Sequence, residues 1–149
     1  MSGALFIIAA PSGAGKTSLV SAVVEREPKL RFSISHTTRS QRPNEQHGRE
    51  YYFVSVEEFQ RLIAAEQFLE YAQVFDNYYG TAREPVERLR AAGQDVLLEI
   101  DRQGARQVRA GPPDFRSIFI LPPSRAPLEP VSYTPLQAHE TVTELVFRL

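Results

Sequence analysis

The sequence contains no cysteine, which excludes disulfide bonds, thiol catalysis and zinc sites built on cysteine. It also has no long hydrophobic run near its start, because the segment from Ala4 to Ala10 is too short to span a bilayer and no basic segment precedes it. The net charge of −1 gives no general attraction to nucleic acid or to membranes. We therefore expect a cytoplasmic protein without nucleic-acid or membrane partners.

Lysine is scarce in this chain. Of its 17 basic residues only Lys16 and Lys29 are lysines, and the remainder are arginines. Arginine suits bidentate recognition of phosphate, although the bias equally fits a GC-rich genome. The length of 149 residues and the apolar fraction of 42% are those of one ordinary globular domain.

Short apolar runs and helical patterns alternate along the chain. The run Leu5–Ala9 precedes a helical pattern from Lys16 to about Arg26, and Asp95–Ile100 and Ser117–Leu121 are further apolar runs. Strands that are apolar throughout are typical of a parallel sheet covered on both faces. The sequence thus predicts an α/β fold with helices on both sides of a parallel sheet.

The middle of the chain has a mixed pattern. Residues 51–54 and 68–75 predict strands, and Asp76–Gly80 has the composition of a turn. Two helices are predicted to begin with capping boxes, one formed by Ser55 with Glu58 and the other by Thr81 with Glu84. We expect this part to be a mixed α+β insertion.

The segment Ala-Pro-Ser-Gly-Ala-Gly-Lys-Thr at residues 10–17 has the pattern of a P-loop, with alanine in place of the first glycine. Small residues let backbone N–H groups surround a phosphate, the lysine bridges the terminal phosphates, and the hydroxyl holds Mg²⁺. The next helix directs its positive end at the anion. The predicted ATP-binding residues are Pro11, Ser12, Gly13, Ala14, Gly15, Lys16, Thr17 and Ser18, with Thr17 as the magnesium ligand.

Three further groups of residues are candidates for binding a ligand. Arg39 and Arg42 lie three apart in a polar loop, where both guanidiniums can converge on one phosphate, although a solvated basic loop is the simpler interpretation. Glu70 can accept two hydrogen bonds from a base edge, or it is a surface glutamate. Glu99 and Asp101 end an apolar strand, where open α/β sheets bind ligands, while Asp101 equally suits a helix cap.

Taken in order, these segments resemble the guanylate kinase family from Leu5 to about Glu129. The resemblance implies a P-loop core that binds ATP with Mg²⁺, a GMP-binding insertion and a mobile lid. On this basis residues 1–35 and 94–129 are the core, and residues 36–93 are the insertion. The P-loop core of such a protein has the fold class of the P-loop NTPases.

The resemblance also implies roles for individual residues. The GMP phosphate is held by Arg39, Arg42, Tyr51 and Tyr79, and the guanine base is read by Ser35, Glu70 and Thr81. Glu45, Glu99 and Asp101 complete the implied GMP-binding set. The implied catalytic residues are Lys16, Arg39 and Asp101.

From Pro130 the chain departs from the family pattern. We therefore expect a C-terminally truncated core, with the last core strand, the lid and the C-terminal helices missing, and an unrelated, disordered tail over residues 130–149. The full-length enzyme converts GMP and ATP to GDP and ADP, whereas this chain is expected to bind GMP without turnover. The alternatives are a non-catalytic binding module that uses the GMP site for phosphorylated partners, and a P-loop kinase for another phosphorylated acceptor.

Overall fold

The computed structural model of the chain describes residues 1–9, 16–110, 115–121 and 144–148, which form two β-sheets and four helices. The strands are β1 Leu5–Ala9, β2 Leu30–Phe32, β3 His36–Thr37, β4 Tyr52–Phe53, β5 Phe68–Val74, β6 Asn77–Ala82, β7 Asp95–Glu99, β8 Phe115–Leu121 and β9 Glu144–Arg148. The helices are α1 Lys16–Arg26, α2 Val56–Ala64, α3 Arg83–Ala91 and α4 Arg102–Arg109.

The larger sheet is parallel and has the strand order β2-β7-β1-β8-β9. Its strands are apolar on both faces because helices pack on both sides. On one face, Leu5 and Ile7 of β1 pack with Val86 of α3 and Val108 of α4. On the other face, Ile8 and its neighbours pack against α1. The predicted α/β fold with a parallel sheet is confirmed.

The smaller sheet has the order β4-β3-β6-β5 and lies within residues 36–93. Its main unit is the antiparallel hairpin of β5 and β6, and β3 pairs antiparallel with β6. Phe59 of α2 is fully buried and packs against Phe68 and Tyr78, with ring centroids 4.5 and 5.4 Å away. The burial of these aromatic rings fixes α2 on the hairpin. The boundary between core and insertion stays a prediction.

Helix α4 connects the two sheets. It begins directly after β7, where Asp101 is its N-cap and accepts a hydrogen bond from the Gly104 N–H at 2.8 Å. Its side contacts β5 of the smaller sheet, through Gln107 and Tyr71. The carboxyl end of the parallel sheet therefore lies next to the insertion. Among the helices that the structure describes, none has both the length and the apolar character needed to cross a membrane.

Three local expectations are corrected by the structure. A turn was predicted at Asp76–Gly80, but it is confined to Phe75 and Asp76, because residues 77–82 form β6. Thr81 does not cap a helix: Ala82 is the N-cap of α3, and Thr81 donates its hydroxyl hydrogen to Glu70. Ser55 does cap α2, but Glu58 pairs with Arg61 in place of closing the capping box.

The C-terminal residues also differ from expectation. Glu144–Arg148 form β9, which pairs in parallel with Ser117–Leu121 of β8, where the sequence predicted a disordered tail and no further core strand. The residues Leu-Val-Phe at 145–147 are good strand formers, and the edge of β8 offers unpaired backbone groups to them. The remaining residues of the predicted tail lie outside the part of the chain that the structure describes.

Candidate active site

The P-loop lysine lies beside an acid from the neighbouring strand. Because β1 and β7 are parallel and Ile8 is opposite Glu99, the carboxyl ends of both strands open at the same edge. There the Lys16 amino group lies 3.6 Å from the Glu99 carboxylate, and each side chain is 21% exposed. Thr17 and Ser18 follow on the exposed first turn of α1. The predicted ATP-binding residues Pro11, Ser12, Gly13, Ala14 and Gly15 lie outside the described residues.

Arg39 is held by Glu45 in a bidentate pair. Its two terminal nitrogens donate to the two carboxylate oxygens at 2.7 and 3.1 Å, and one of them also donates to the Ser40 carbonyl at 2.8 Å. The hydrogen bonds that Arg39 donates to Glu45 are the main reason that the pKa of Arg39 is raised, with a smaller contribution from Tyr79. A carboxylate repels a phosphate, so Glu45 acts on an anion through Arg39 and not by direct contact.

Arg42 is fixed by its backbone and leaves its side chain exposed. Its N–H donates to the Glu45 carboxylate at 2.8 Å, and its carbonyl accepts from the Glu45 N–H at 3.0 Å. Hydrogen bonds from Arg39 and then from the Arg42 N–H lower the pKa of Glu45. The loop thus presents a paired arginine next to an exposed one, an arrangement that suits the capture of phosphate.

Two tyrosines line the space beside Arg39. Its guanidinium lies 5.4 Å from the centre of the Tyr51 ring and 5.7 Å from that of Phe53, and the Tyr51 and Tyr79 rings are 6.0 Å apart. Burial raises the pKa of Tyr51, and the charge of Glu99 raises it further. Tyr51 therefore lies between the arginine loop and the acid that pairs with Lys16.

Glu70 is a buried acid without an arginine or lysine partner among the described residues. Its side chain is 5% exposed, and it accepts a hydrogen bond from the Thr81 hydroxyl at 2.6 Å. Burial raises its pKa to about 7, opposed by the Thr81 hydrogen bond and assisted by the negative charge of Asp101. The alternative of a surface glutamate is excluded by this burial. Glu70 is poised to accept hydrogen bonds from a ligand.

The Arg39 end and the Glu70 end of the site are connected by β6. Tyr79 and Thr81 are two residues apart on this strand, so they project from the same face, about 7 Å apart. Tyr79 lies near Arg39, and Thr81 is bonded to Glu70. A ligand with an anionic group at one end and hydrogen-bond donors at the other matches this spacing.

Two predicted residues have other contacts. Asp101 caps α4 through Gly104, which is the alternative role that its sequence position suggested. Ser35 is half-buried and accepts a hydrogen bond at its backbone carbonyl from the Tyr52 N–H at 2.9 Å. Sequence reasoning missed Phe53, which lies against Arg39, although the aromatic run at residues 51–53 was a usable signal.

Within the described part of the chain, no group of three or more histidine and acidic side chains is placed to bind a cation. Thr17 and Glu99 are nevertheless at the same edge of the sheet as Lys16. A hydroxyl with few protein partners suits Mg²⁺, which usually keeps its waters and binds through the phosphates of a substrate.

Comparison with known proteins gives a consistent result. The guanylate kinase family model matches residues 2–143. The guanylate kinase of Sodalis glossinidius is 57% identical over 129 residues, which is 85% of this chain and 62% of that protein. That of Methylococcus capsulatus is 59% identical over 140 residues, or 94% of this chain and 69% of that protein. The chain thus spans less than two thirds of the first of these relatives.

A solved structure is also similar. The crystal structure of guanylate kinase from Anaplasma phagocytophilum matches with a TM-score of 0.70 and 37% sequence identity, covering 83% of this chain and 62% of that one. The match of the family model extends beyond Pro130, where the sequence pattern was expected to depart from the family.

Proposed function

This chain belongs to the guanylate kinase family, and we propose that it acts as a nucleoside monophosphate kinase that transfers the γ-phosphoryl group of ATP to GMP, giving GDP and ADP. The observation that carries this proposal is the arrangement along β6. The paired guanidinium of Arg39 lies near Tyr79, and the buried carboxylate of Glu70 is bonded to Thr81 on the same face of the strand.

The phosphate of GMP is proposed to bind Arg39, Arg42, Tyr51 and Tyr79. Guanidinium groups and phenolic hydroxyls donate hydrogen bonds to phosphate oxygens, and Glu45 holds Arg39 in place for them. Because Arg39 is already ordered, little side-chain entropy is lost when the phosphate binds.

The guanine base is proposed to bind Glu70, Thr81 and Ser35. Guanine presents a ring N1–H and a 2-amino group on one edge, and an ionised carboxylate accepts hydrogen bonds from both. Adenine has neither donor at these positions, so AMP leaves a buried acid without partners, which is costly. Because burial raises the pKa of Glu70 to about 7, protonated and ionised forms coexist near neutral pH, and the proton of the protonated form must leave before guanine is bound.

Lys16 is proposed to bind the terminal phosphates of ATP, and Thr17 to hold Mg²⁺ when it is bound with ATP, supplying charge neutralisation for the transferring group. In the free protein the Lys16 amino group is paired with Glu99. The acceptor oxygen of GMP is already ionised at neutral pH, so phosphoryl transfer needs alignment and electrostatic stabilisation more than a strong base. Asp101 fixes the start of α4 beside Glu70 and acts on the base through that position.

The test is formation of the corresponding nucleoside diphosphate from ATP and Mg²⁺ with GMP, AMP, CMP or UMP as acceptor. GMP is expected to be the preferred acceptor by a wide margin. Turnover with another nucleotide but not with GMP would identify a kinase for a different acceptor. Saturable GMP binding without any turnover would contradict kinase activity in this chain and agree with the expectation that it binds GMP without turnover.

A first prediction concerns phosphate capture by Arg39. Arg39→Lys keeps the positive charge but removes the planar guanidinium, which donates to both oxygens of Glu45 and is proposed to donate to the phosphate as well. We expect GMP affinity to fall about tenfold, whereas guanosine, which has no phosphate, binds as it does to the unchanged protein. Calorimetric titration with both ligands measures the two effects.

The matched control is Arg49→Lys, because Arg49 lies in the same loop region but is 57% exposed and pairs with Glu50. This variant is expected to bind GMP normally. If guanosine affinity falls in parallel with GMP affinity in Arg39→Lys, Arg39 is a structural residue and not a phosphate ligand.

A further inference from the structure

Helix α4 touches the buried carboxylate at a position where only glycine fits. A Cβ atom added to Gly104 would lie 2.2 Å from Glu70 Oε2 and 3.0 Å from Glu70 Cδ. Nonbonded carbon and oxygen atoms do not approach so closely, so any side chain at residue 104 must displace the carboxylate. The same Cβ atom would also lie 3.3 Å from Cβ of Ile100, which is a second close contact.

Glu70 has little freedom to move away. Its carboxylate is bonded to the Thr81 hydroxyl at 2.6 Å, and its side chain is 5% exposed. Thr81 is itself 1% exposed on β6. A displacement of Glu70 therefore breaks a buried hydrogen bond as well as changing where the carboxylate points.

A second contact fixes the backbone of the same strand. Gln107 lies three residues after Gly104 on α4, and therefore near the same side of the helix. Its side-chain oxygen accepts a hydrogen bond from the Tyr71 N–H at 3.0 Å, and its amide nitrogen donates to the Tyr71 carbonyl. Tyr71 follows Glu70 directly on β5, an edge strand of the smaller sheet. The amide thus pairs with backbone groups next to the acid.

We propose that Gly104 and Gln107 are positioning residues that set the Glu70 carboxylate for recognition of guanine, and thereby determine the preference for a guanine over a hypoxanthine base. The proposal rests on the proposed function. Because Gly104 has no side chain, the Glu70 carboxylate can occupy the space beside it. Gln107 bonds the backbone of Tyr71 and so fixes the position of β5 relative to α4. Hypoxanthine has the N1–H but lacks the 2-amino group, so only a carboxylate with both oxygens in place distinguishes the two bases.

The test compares GMP and IMP binding by calorimetry in the unchanged chain, Gly104→Ala and Gln107→Met. We expect the unchanged chain to prefer GMP by about tenfold or more. In Gly104→Ala, GMP affinity is expected to fall about tenfold and IMP affinity much less, so that the preference narrows. Gln107→Met is expected to shift the preference in the same direction by a smaller factor, about threefold. Arg106→Ala, an exposed change on the same helix, is the matched control and keeps the preference.

A second readout does not depend on ligand binding. The titration of the Glu70 carboxyl group, followed by carbon NMR, is expected to shift in Gly104→Ala, because displacement of the acid changes both the burial that raises its pKa and the Thr81 hydrogen bond that lowers it. An unchanged GMP-to-IMP ratio and an unchanged titration in both variants would overturn the positioning role. If Gly104→Ala does not fold, the GMP-to-IMP affinity ratio and the Glu70 titration of Gln107→Met alone test the positioning role. If the unchanged chain binds neither GMP nor IMP, the proposed function fails, which is a different outcome from loss of the positioning role alone.

Discussion

Glu70→Gln is expected to lower GMP affinity by about 100-fold while ATP affinity stays within a small factor of its original value. Glutamine keeps the shape of the side chain and can still accept from Thr81. Its amide nitrogen, however, would face a donor of the guanine base, and the negative charge is lost. Calorimetric titration with GMP and ATP measures both affinities. Equal losses for the two nucleotides would show that Glu70 has another role.

The same substitution is expected to stabilise the free protein above neutral pH. Glu70 has an ordinary pKa of 4.5 that burial raises to about 7 in the folded protein. Between these values the folded chain holds a proton that the unfolded chain has released. The contribution of Glu70 is therefore fully present below about pH 4.5 and is lost as the pH rises to about 7. The loss is on the order of 3 kcal/mol.

Denaturant unfolding at pH 5 and at pH 8 tests this expectation. Glu70→Gln removes the buried charge, so its gain in unfolding free energy is expected at pH 8 and not at pH 5. The control is Glu57→Gln on the exposed face of α2, which should change stability little at either pH. A destabilised Gln variant at pH 8 would show that the ionised acid has a stabilising partner. A stabilised variant that binds GMP poorly would instead identify Glu70 as a residue retained for function at a cost in stability.

Lys16→Ala is expected to reduce the rate of phosphoryl transfer by about 10²–10³. The lysine lies at the carboxyl end of β1 and β7 and pairs there with Glu99. Without it, the charge that develops on the transferring group has one stabilising partner fewer. GMP affinity should change little, because Lys16 is not among the residues proposed to bind GMP.

The control for this variant is Lys29→Ala, since Lys29 is the only other lysine in the sequence and lies in the turn before β2. GDP formation at saturating GMP and ATP gives the rate, and a separate GMP titration gives the affinity. A rate in Lys16→Ala equal to that of Lys29→Ala would remove Lys16 from the catalytic machinery.

The parts of the fold that depend on local pattern were predictable from the sequence. The strand at 5–9 and the helix at 16–26 have the predicted bounds, because a short apolar run and a helical pattern are each visible within their own segment of the sequence. The N-cap at Ser55 is local as well, since the bond spans three residues. The apolar run Asp95–Ile100 also predicted that Glu99 and Asp101 lie at the carboxyl end of β7, whereas their role toward a ligand stays a prediction.

The parts that depend on long-range contact were not predictable in this way. Asn77 and Gly80 have the composition of a turn, but pairing with β5 and β3 extends the strand through them. Thr81 and Glu84 have the spacing of a capping box, yet the Thr81 hydroxyl donates a hydrogen bond to Glu70, eleven positions earlier in the chain. The contact of Gly104 with Glu70 leaves no local signal at all, because it arises only when α4 packs on β5. The pairing of β9 with β8 likewise joins distant segments.

The most direct test of the account is calorimetric titration of the 149-residue chain with GMP and with AMP at pH 8, where Glu70 is ionised. The residues proposed to hold the nucleotide, Arg39 with Glu45 and Glu70 with Thr81, are all in place in the free protein. We expect one saturable site for GMP and binding of AMP weaker by about 100-fold or more. Equal affinity for the two nucleotides would contradict it, because a buried acid that reads guanine cannot be indifferent to adenine.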